Sequence, residues 1–433
     1  MKKYTLSLAS VVALVVLIAG CTLNQPEATM HVASADVNLS TVSLPGATVL
    51  AFGPENVLFV GDSKGATVHA IATEGIALED PVPFNMPGLD RTIASMLGLN
   101  VTDIMINDMK IHPASQEAYV AVQRGLQPGA ESVIAIVSPT SGDIRFLDFS
   151  ETDHQTVTLA NPASEEVMLW GDMPASTLNI TDIDYHDGHL YVAGLTNGEF
   201  ASNLRKIPYP FDGSQSAVGS IEIYHAVHTQ NETRAPIRTM LFDEVDGVST
   251  LLASYTCTPL VTIPTSEVAE GNDVKGKTIA ELGFGNAPSD MISFMTQEPD
   301  GSFDKKILIT HKQRSGSLIS MKDLAAANAG DGLKGMTMGP AGVEIFPVPT
   351  SSVMHIDNQN QMMLTVIRRN IDTGGADLIS QLKGAYFRLS DFVSEYDFPD
   401  YAYPEEQAGT KQFHDMVKPM EGYPHLTSDQ MNR

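Results

Sequence analysis

Three aspartates recur in one local setting: Asn107-Asp108-Met109, Thr181-Asp182-Ile183 and Ser289-Asp290-Met291. Basic residues stand beside similar apolar runs elsewhere in the chain, at Arg124, Arg234, Arg238, Lys312, Arg314, Arg368 and Arg369. Arginine forks grip carboxylate and phosphate with two parallel hydrogen bonds, so such a set, once gathered, recognises anions. The same residues also support a plainer chemistry, in which the aspartates satisfy turns and pair with the cations as a structural ring. His225 and His228 are two imidazoles three residues apart. On a continuous strand that spacing sends them to opposite faces. If the strand ends between them, a loop can unite them on a metal; the other reading is a satisfied or exposed pair. His186 and His189 flank Asp187-Gly188 and read as turn residues. Cys257, in Tyr255-Thr256-Cys257-Thr258-Pro259, reads as an inert thiol if buried and as a ligand or redox group if it faces the others.

The elements that position these residues are short strands. Paired runs occur at 48–52 and 57–62, 106–111 and 118–123, 180–185 and 189–195, 237–242 and 250–257, 291–295 and 306–312, and 353–356 and 362–368. Turn sequences such as Gly53-Pro54-Glu55-Asn56, His186-Asp187-Gly188, Asp246-Gly247 and Pro299-Asp300-Gly301 join them. A third strand follows each pair, for example at 67–71, 132–138, 204–208, 260–264 and 317–321, and fourth strands are visible at places such as 143–149 and 220–227. Helical patterning is confined to 90–97 and 321–327. Hairpin and third strand recur in one order six times, which predicts an all-β chain: a β-propeller of six blades, or seven, each with four antiparallel strands. Two β-sandwiches would also supply many short strands.

In a propeller the first strand of each blade lines the channel. The loops entering first strands and leaving second strands open on one face. That topology gathers Asp108, Arg124, Asp182, Arg234, Arg238, Asp290, Lys312 and Arg368 at one mouth as the candidate ligand-binding set. His225 and His228, the candidate metal pair, lie on the connection into the fourth blade. The architecture is similar to that of bacterial extracytoplasmic propeller proteins in general.

The N-terminus adds an address. Lys2 and Lys3 precede an apolar stretch over 6–18, too short for a transmembrane helix, so residues 1–20 read as a signal peptide. Its last residues with the one after, Ile18-Ala19-Gly20-Cys21, resemble the lipobox of bacterial lipoproteins. The resemblance implies lipidation of Cys21, cleavage before it and a stable acyl anchor. Thr22, in place of the aspartate that retains such proteins at the inner membrane, implies an outer-membrane location in the cell envelope. Residues 21–45 then form a tether, 46–392 the propeller, and 393–433 an acidic, tyrosine-containing tail that either wraps the domain or is disordered.

Composition narrows the function classes. The formal net charge is −26, and the leader contributes only positive charge to it. Such acidity argues against nucleic acid as a partner. It leaves an envelope protein or a small anionic ligand as partner, besides the membrane reached through Cys21. With two cysteines in all and one of them lipidated, no structural intrachain disulfide can form. The chain carries no His-Glu-x-x-His and no Cys-x-x-Cys-His haem-attachment signature. No cofactor follows from the sequence, although calcium or a transition metal would suit its donors. The leading expectation is a binding or scaffolding module. The alternative is a periplasmic propeller hydrolase or oxidoreductase with a metal or anionic cofactor at the mouth.

Overall fold

The computed structural model describes residues 38–78, 82–127, 130–298, 300–398 and 400–421. The segment expected as a signal peptide, the lipidation candidate Cys21 and most of the expected tether lie outside the described residues.

After a short helix α1 (Leu39–Val42), strands β1 (Val49–Phe52), β2 (Leu58–Asp62) and β3 (Thr67–Ile71) pair antiparallel in order. The chain then forms β4 (Asn85–Met86) and helix α2 (Leu89–Met96), and builds a complete four-stranded sheet from β5 (Ile104–Ile111), β6 (Ala118–Arg124), β7 (Ser132–Val137) and β8 (Ile144–Phe146). Strand β9 (His154–Thr158) returns to pair with β3. A small hairpin, β10 (Met168–Leu169) and β11 (Met173–Pro174), precedes the sheet β12 (Asp182–His186), β13 (His189–Leu195), β14 (Ser202–Pro208) and β15 (Ser216–Ala217).

Strands β16 (Ser220–His225) and β17 (Gln230–Glu232) come next, followed by β18 (Ile237–Val245), β19 (Val248–Tyr255), β20 (Pro259–Pro264) and β21 (Asp273–Glu281). The next sheet holds β22 (Pro288–Gln297), β23 (Phe303–His311) and β24 (Gly316–Ser320), then helix α3 (Met321–Asn328), β25 (Ala341–Gly342) and β26 (Phe346–Val348). Of these, β25 pairs with β21, and β26 completes its own sheet. The last repeat is β27 (Val353–Asn358), β28 (Met363–Arg369) and β29 (Ala376–Leu382), to whose outer edge β4 adds.

This is an all-β propeller of four-stranded antiparallel blades, with one correction to the expected count. Five sheets are four-stranded blades, not six or seven alike. The fourth repeat, β18–β21, is instead embedded in a seven-stranded sheet. The segment expected as a fourth strand over 220–227 is β16, and it runs parallel to β21 rather than closing the sheet before it. Gly276 makes this approach possible, since a Cβ there would meet Val261 Cγ1 at 2.5 Å and Ile223 Cγ2 at 3.2 Å. The order around the axis also departs from the order in sequence: the innermost strands succeed one another as β1, β12, β18, β22, β27, β5 and back to β1. The β5–β8 sheet is thus wedged between the first and last repeats. Each of those repeats is completed by a strand remote in sequence, β9 for the first and β4 for the last.

The core lies between the sheets, and strand alternation explains it. Every residue of β7 is buried. Val133, Ala135 and Val137 face Leu378 and Ile367 of the last repeat, together with Ile93 of α2. Ile134 and Ile136 face Leu50, Leu58 and Val60 of the first. Successive side chains point to opposite faces and both faces are covered, so inner strands read as near-continuous apolar runs. Burying a side chain of this size stabilises the fold by roughly 1.5–3 kcal/mol. Among the described tail residues, helix α4 (Ala408–Met420) and an aromatic cluster of Tyr396, Tyr401, Tyr403 and His414 stand where no periodic structure was expected. The Tyr403 hydroxyl lies 2.9 Å from His414 Nδ1, so spacing irregular in sequence becomes regular in space.

Candidate functional site

Four of the inner strands carry a β-bulge near the mouth, between Ile106 and Asp108, Ile237 and Thr239, Pro288 and Asp290, and Val353 and His355. A bulge adds one unpaired residue and re-aims the side chain after it. Asp108, Asp290 and His355 consequently point inward, and Asp182 joins them from β12. Two residues further along the same strand faces stand Lys110, Asp184 and Asp357. Lys110 sits 3.6 Å from Asp290, and His355 lies 3.6 Å from Asp108. The carboxylates of Asp108, Asp182 and Asp357 share the field of the Lys110 ammonium, so residues from four sheets converge on the axis.

Each channel carboxylate makes the same pair of contacts. One oxygen accepts from the N–H of the next residue in its own strand; the other accepts from an N–H on the neighbouring inner strand. Asp108 binds Met109 N (2.7 Å) and Leu50 N (2.7 Å). Asp182 binds Ile183 N (2.9 Å) and Met240 N (2.6 Å), and Asp184 binds Tyr185 N (2.8 Å) and Phe242 N (3.3 Å). Asp290 binds Met291 N (2.9 Å) and Ile356 N (3.1 Å), and Asp357 binds Asn358 N (2.8 Å) and Ile111 N (2.7 Å). All five clasps run in one direction around the ring. Inner strands face the channel instead of another sheet, so their outward N–H groups need acceptors, and a short carboxylate is the side chain that reaches.

The electrostatics follow from depth. Burial pushes the Asp182 and Asp290 carboxyls up, with Lys110 opposing, and raises Asp184 and Asp357 to about 6. For Asp108 burial acts the same way, but Lys110 and His355 outweigh it and the carboxyl is lowered. Burial would lower Lys110; the surrounding aspartates, Asp290 foremost, hold it well above the usual lysine range.

The expected cations divide. Arg124 binds Glu131 (3.2 Å) and the Ser43 hydroxyl (2.7 Å). The Arg234 Nε donates to Glu199 O at 3.0 Å. Arg368 grips both oxygens of Asp391, at 2.5 and 2.6 Å, and ties the tail segment to β28. These three are engaged in separate contacts. Arg238 is the bulged residue of β18, and Lys312 follows the end of β23 in the adjoining sheet. Among the described residues neither has an acidic side-chain partner, and the nearby Arg238 guanidinium, together with burial, lowers the Lys312 ammonium.

The histidine pair lies on the seven-stranded sheet. Strand β16 ends at His225, and His228 follows in the turn, so the two imidazoles meet with ring centroids 4.0 Å apart. Glu232 of β17 accepts from both Nδ1 atoms, at 3.0 Å from His225 and 2.5 Å from His228. Cys257, half-buried on the turn between β19 and β20, lies against them. Burial opposes the charged His225, but hydrogen bonds to Cys257 and Glu232 prevail and hold it at about 9. Glu232, conversely, is drawn down to about 2 against the effect of burial by its two imidazole hydrogen bonds. His186 sits 3.0 Å from the Ser249 hydroxyl and stacks on Phe242, both on the neighbouring β18–β19 hairpin, while His189 contacts Asp187 O at 2.8 Å within its own turn.

Sequence reasoning found the upper aspartates and passed over Lys110, Asp184 and Asp357. The signal that finds them is the two-residue strand period: Asp108 with Lys110, Asp182 with Asp184, His355 with Asp357.

No family model matches the sequence, and no curated protein matches it. Solved structures that resemble it include the first two extracellular domains of Drosophila Semaphorin 1a, at 9% identity and a TM-score of 0.37, covering 80% of this chain and 86% of that one. A PQQ-bound aldose sugar dehydrogenase from Streptomyces coelicolor aligns at 11% identity and a TM-score of 0.31 over 78% and 95% of the two chains. A virginiamycin B lyase from Staphylococcus aureus aligns at 9% and 0.32 over 78% and 95%.

Proposed function

We propose that this chain is an envelope lipoprotein, anchored through Cys21 to the outer membrane, whose propeller is a binding or scaffolding module for an anionic group at the channel rim. The observation that carries the reading is the Arg238–Lys312 pair. Two cations on adjoining sheets lie near enough for the Arg238 charge to lower the Lys312 ammonium, and among the described residues neither has an acidic partner, in a chain with twice as many acidic as basic residues. Like charges held together are costly unless a counter-ion joins them. A carboxylate or phosphate bridging the pair would relieve that cost, with Arg238 supplying the fork and Lys312 the point charge. The acids that a propeller hydrolase would need are each occupied by two backbone N–H groups, which favours the binding module over the enzyme.

The test is calorimetric titration with inorganic phosphate and with citrate. The expected result is saturable binding of one of them, weakened at least about tenfold in the Arg238→Ala/Lys312→Ala double variant, which is the loss of one charge-assisted contact or more. Equal binding by the double variant, or none by the wild type, overturns the reading. Mass spectrometry of the N-terminal peptide tests the anchor: acylated Cys21 supports it, and a Cys21→Ala chain that stays membrane-bound refutes it.

A further inference from the structure

We propose that His225, His228 and Cys257 form a binding site for a divalent transition metal of borderline softness, zinc or copper rather than calcium. One donor atom from each of the three residues lies within 4.8 Å of the others, close to the spacing that ligands adopt around a single ion. Two imidazoles and a thiolate are the donors that select such metals, whereas calcium takes oxygen ligands.

Three further observations point to a ligand. The first is Glu232, which takes the Nδ1 atoms of both histidines on its two oxygens. This holds Nδ1 of both rings and directs Nε2 to the other side, where that of His225 faces the Thr258 hydroxyl at 3.3 Å and would give up its proton to a metal, as in carboxylate–histidine–metal arrangements. The carboxylate is only 14% exposed, so it is a built support rather than a surface encounter. The second is Glu281 at the end of β21. Its side chain is fully buried, and Oε2 has no hydrogen-bond partner among the described residues. It stands beside the same turn: Glu281 pairs in register with Pro259, the Leu282 N–H donates to Thr258 O at 3.1 Å, and the Thr258 hydroxyl lies 3.3 Å from His225 Nε2. An unpartnered buried carboxylate oxygen is costly, and a cation beside Thr258 would satisfy it. The third is the backbone of Cys257, which has φ of +85° although it is not glycine. Strain of this kind costs on the order of 1–3 kcal/mol and is retained where it aims a functional group. Here it brings Sγ within 3.9 Å of the Thr258 hydroxyl, on the histidine side of the turn.

Together these groups can provide three first ligands, with the fourth position open to Glu281 or water. Thiolate and Glu281 balance the charge of the ion. A metal held here would also join β16, the β19–β20 turn and the end of β21.

The experiment uses the full chain, purified in detergent, stripped with chelator and titrated with Co²⁺ as the spectroscopic probe, then with Zn²⁺ in competition. The expected result is one equivalent of Co²⁺ with a thiolate-to-cobalt charge-transfer band, displaced by Zn²⁺ and untouched by Ca²⁺. Cys257→Ser should abolish the band. His228→Ala, at a largely exposed position, should weaken binding at least about tenfold without affecting the fold. Glu232→Gln should keep the band and weaken affinity by about 10- to 100-fold. Absence of a charge-transfer band in folded wild-type protein, or its survival in Cys257→Ser, overturns the proposal. The Arg238→Ala/Lys312→Ala variant should bind Co²⁺ normally, so the two proposed sites fail or stand separately.

Discussion

The channel and the His225–Cys257 turn are the two densest gatherings of ionisable side chains described above, and they are built on opposite rules. In the channel every carboxylate ends on two backbone N–H groups, and Lys110 balances the acids from the centre. At the turn the polar groups are arranged around one another: a glutamate holds two histidines, a thiol is aimed by strained backbone, and Glu281 keeps a buried oxygen without a partner. The first pattern satisfies its carboxylates from the backbone. The second leaves capacity unused. Number of charges therefore does not separate the two regions; unsatisfied valence does.

Removing the charge balance of the channel should produce the largest effect. Lys110→Met leaves buried carboxylates facing one another and should cost about 3–5 kcal/mol in urea unfolding. A loss below about 1 kcal/mol would show that the channel acids are neutral without it. Next comes a single clasp. Asp108→Ala strands the N–H groups of Leu50 and Met109 and should destabilise by about 1–3 kcal/mol for each group left unpaired. Asp108→Asn keeps one acceptor and should fall between that variant and the wild type.

The third break is by pH. Asp184 and Asp357 titrate at about 6 in the fold against 3.8 for the ordinary carboxyl, so between those values the folded chain binds more protons than the unfolded one. Their contribution to stability thus falls as pH rises from about 4 to 6 and stays low above it. Unfolding at pH 5 and pH 7 should show this decline, and Asp184→Asn should flatten it. An unchanged slope in that variant would remove Asp184 from the account. The smallest effect is expected at the turn: His228→Ala should change stability by no more than about 0.5 kcal/mol without metal. The same variant should change cobalt binding strongly, which is the sharpest separation between the two regions.

The strands were legible because short alternating runs bounded by Gly, Pro, Asn and Asp have few other uses. His189–Leu195 and Thr67–Ile71 lie where the sequence alone puts them, and helices α2 and α3 fall within a residue of theirs. What was not legible is partnership. Strand β16 has the composition of an ordinary fourth strand, and only Gly276 on a strand about fifty residues later lets it lie parallel to β21. β4 is two residues long and carries no periodicity, yet it completes the last repeat. Arg124, Arg234 and Arg368 have the same chemistry as Arg238, and nothing local distinguishes a guanidinium that will find Asp391 from one that will find none.

By itself the sequence determined an all-β chain of repeating hairpins, the aspartates on its inner strands and an N-terminal motif that resembles a lipobox, because these are written in periods of two residues, turn chemistry and contiguous motifs. Only the tertiary structure decided the order of sheets around the axis, the meeting of Asp108, Lys110, Asp290 and His355 in one channel, and the contact of Cys257 with His225 and His228. Those depend on which edges pair and which strands reach the axis, and pairing is settled by packing between segments that the sequence keeps far apart.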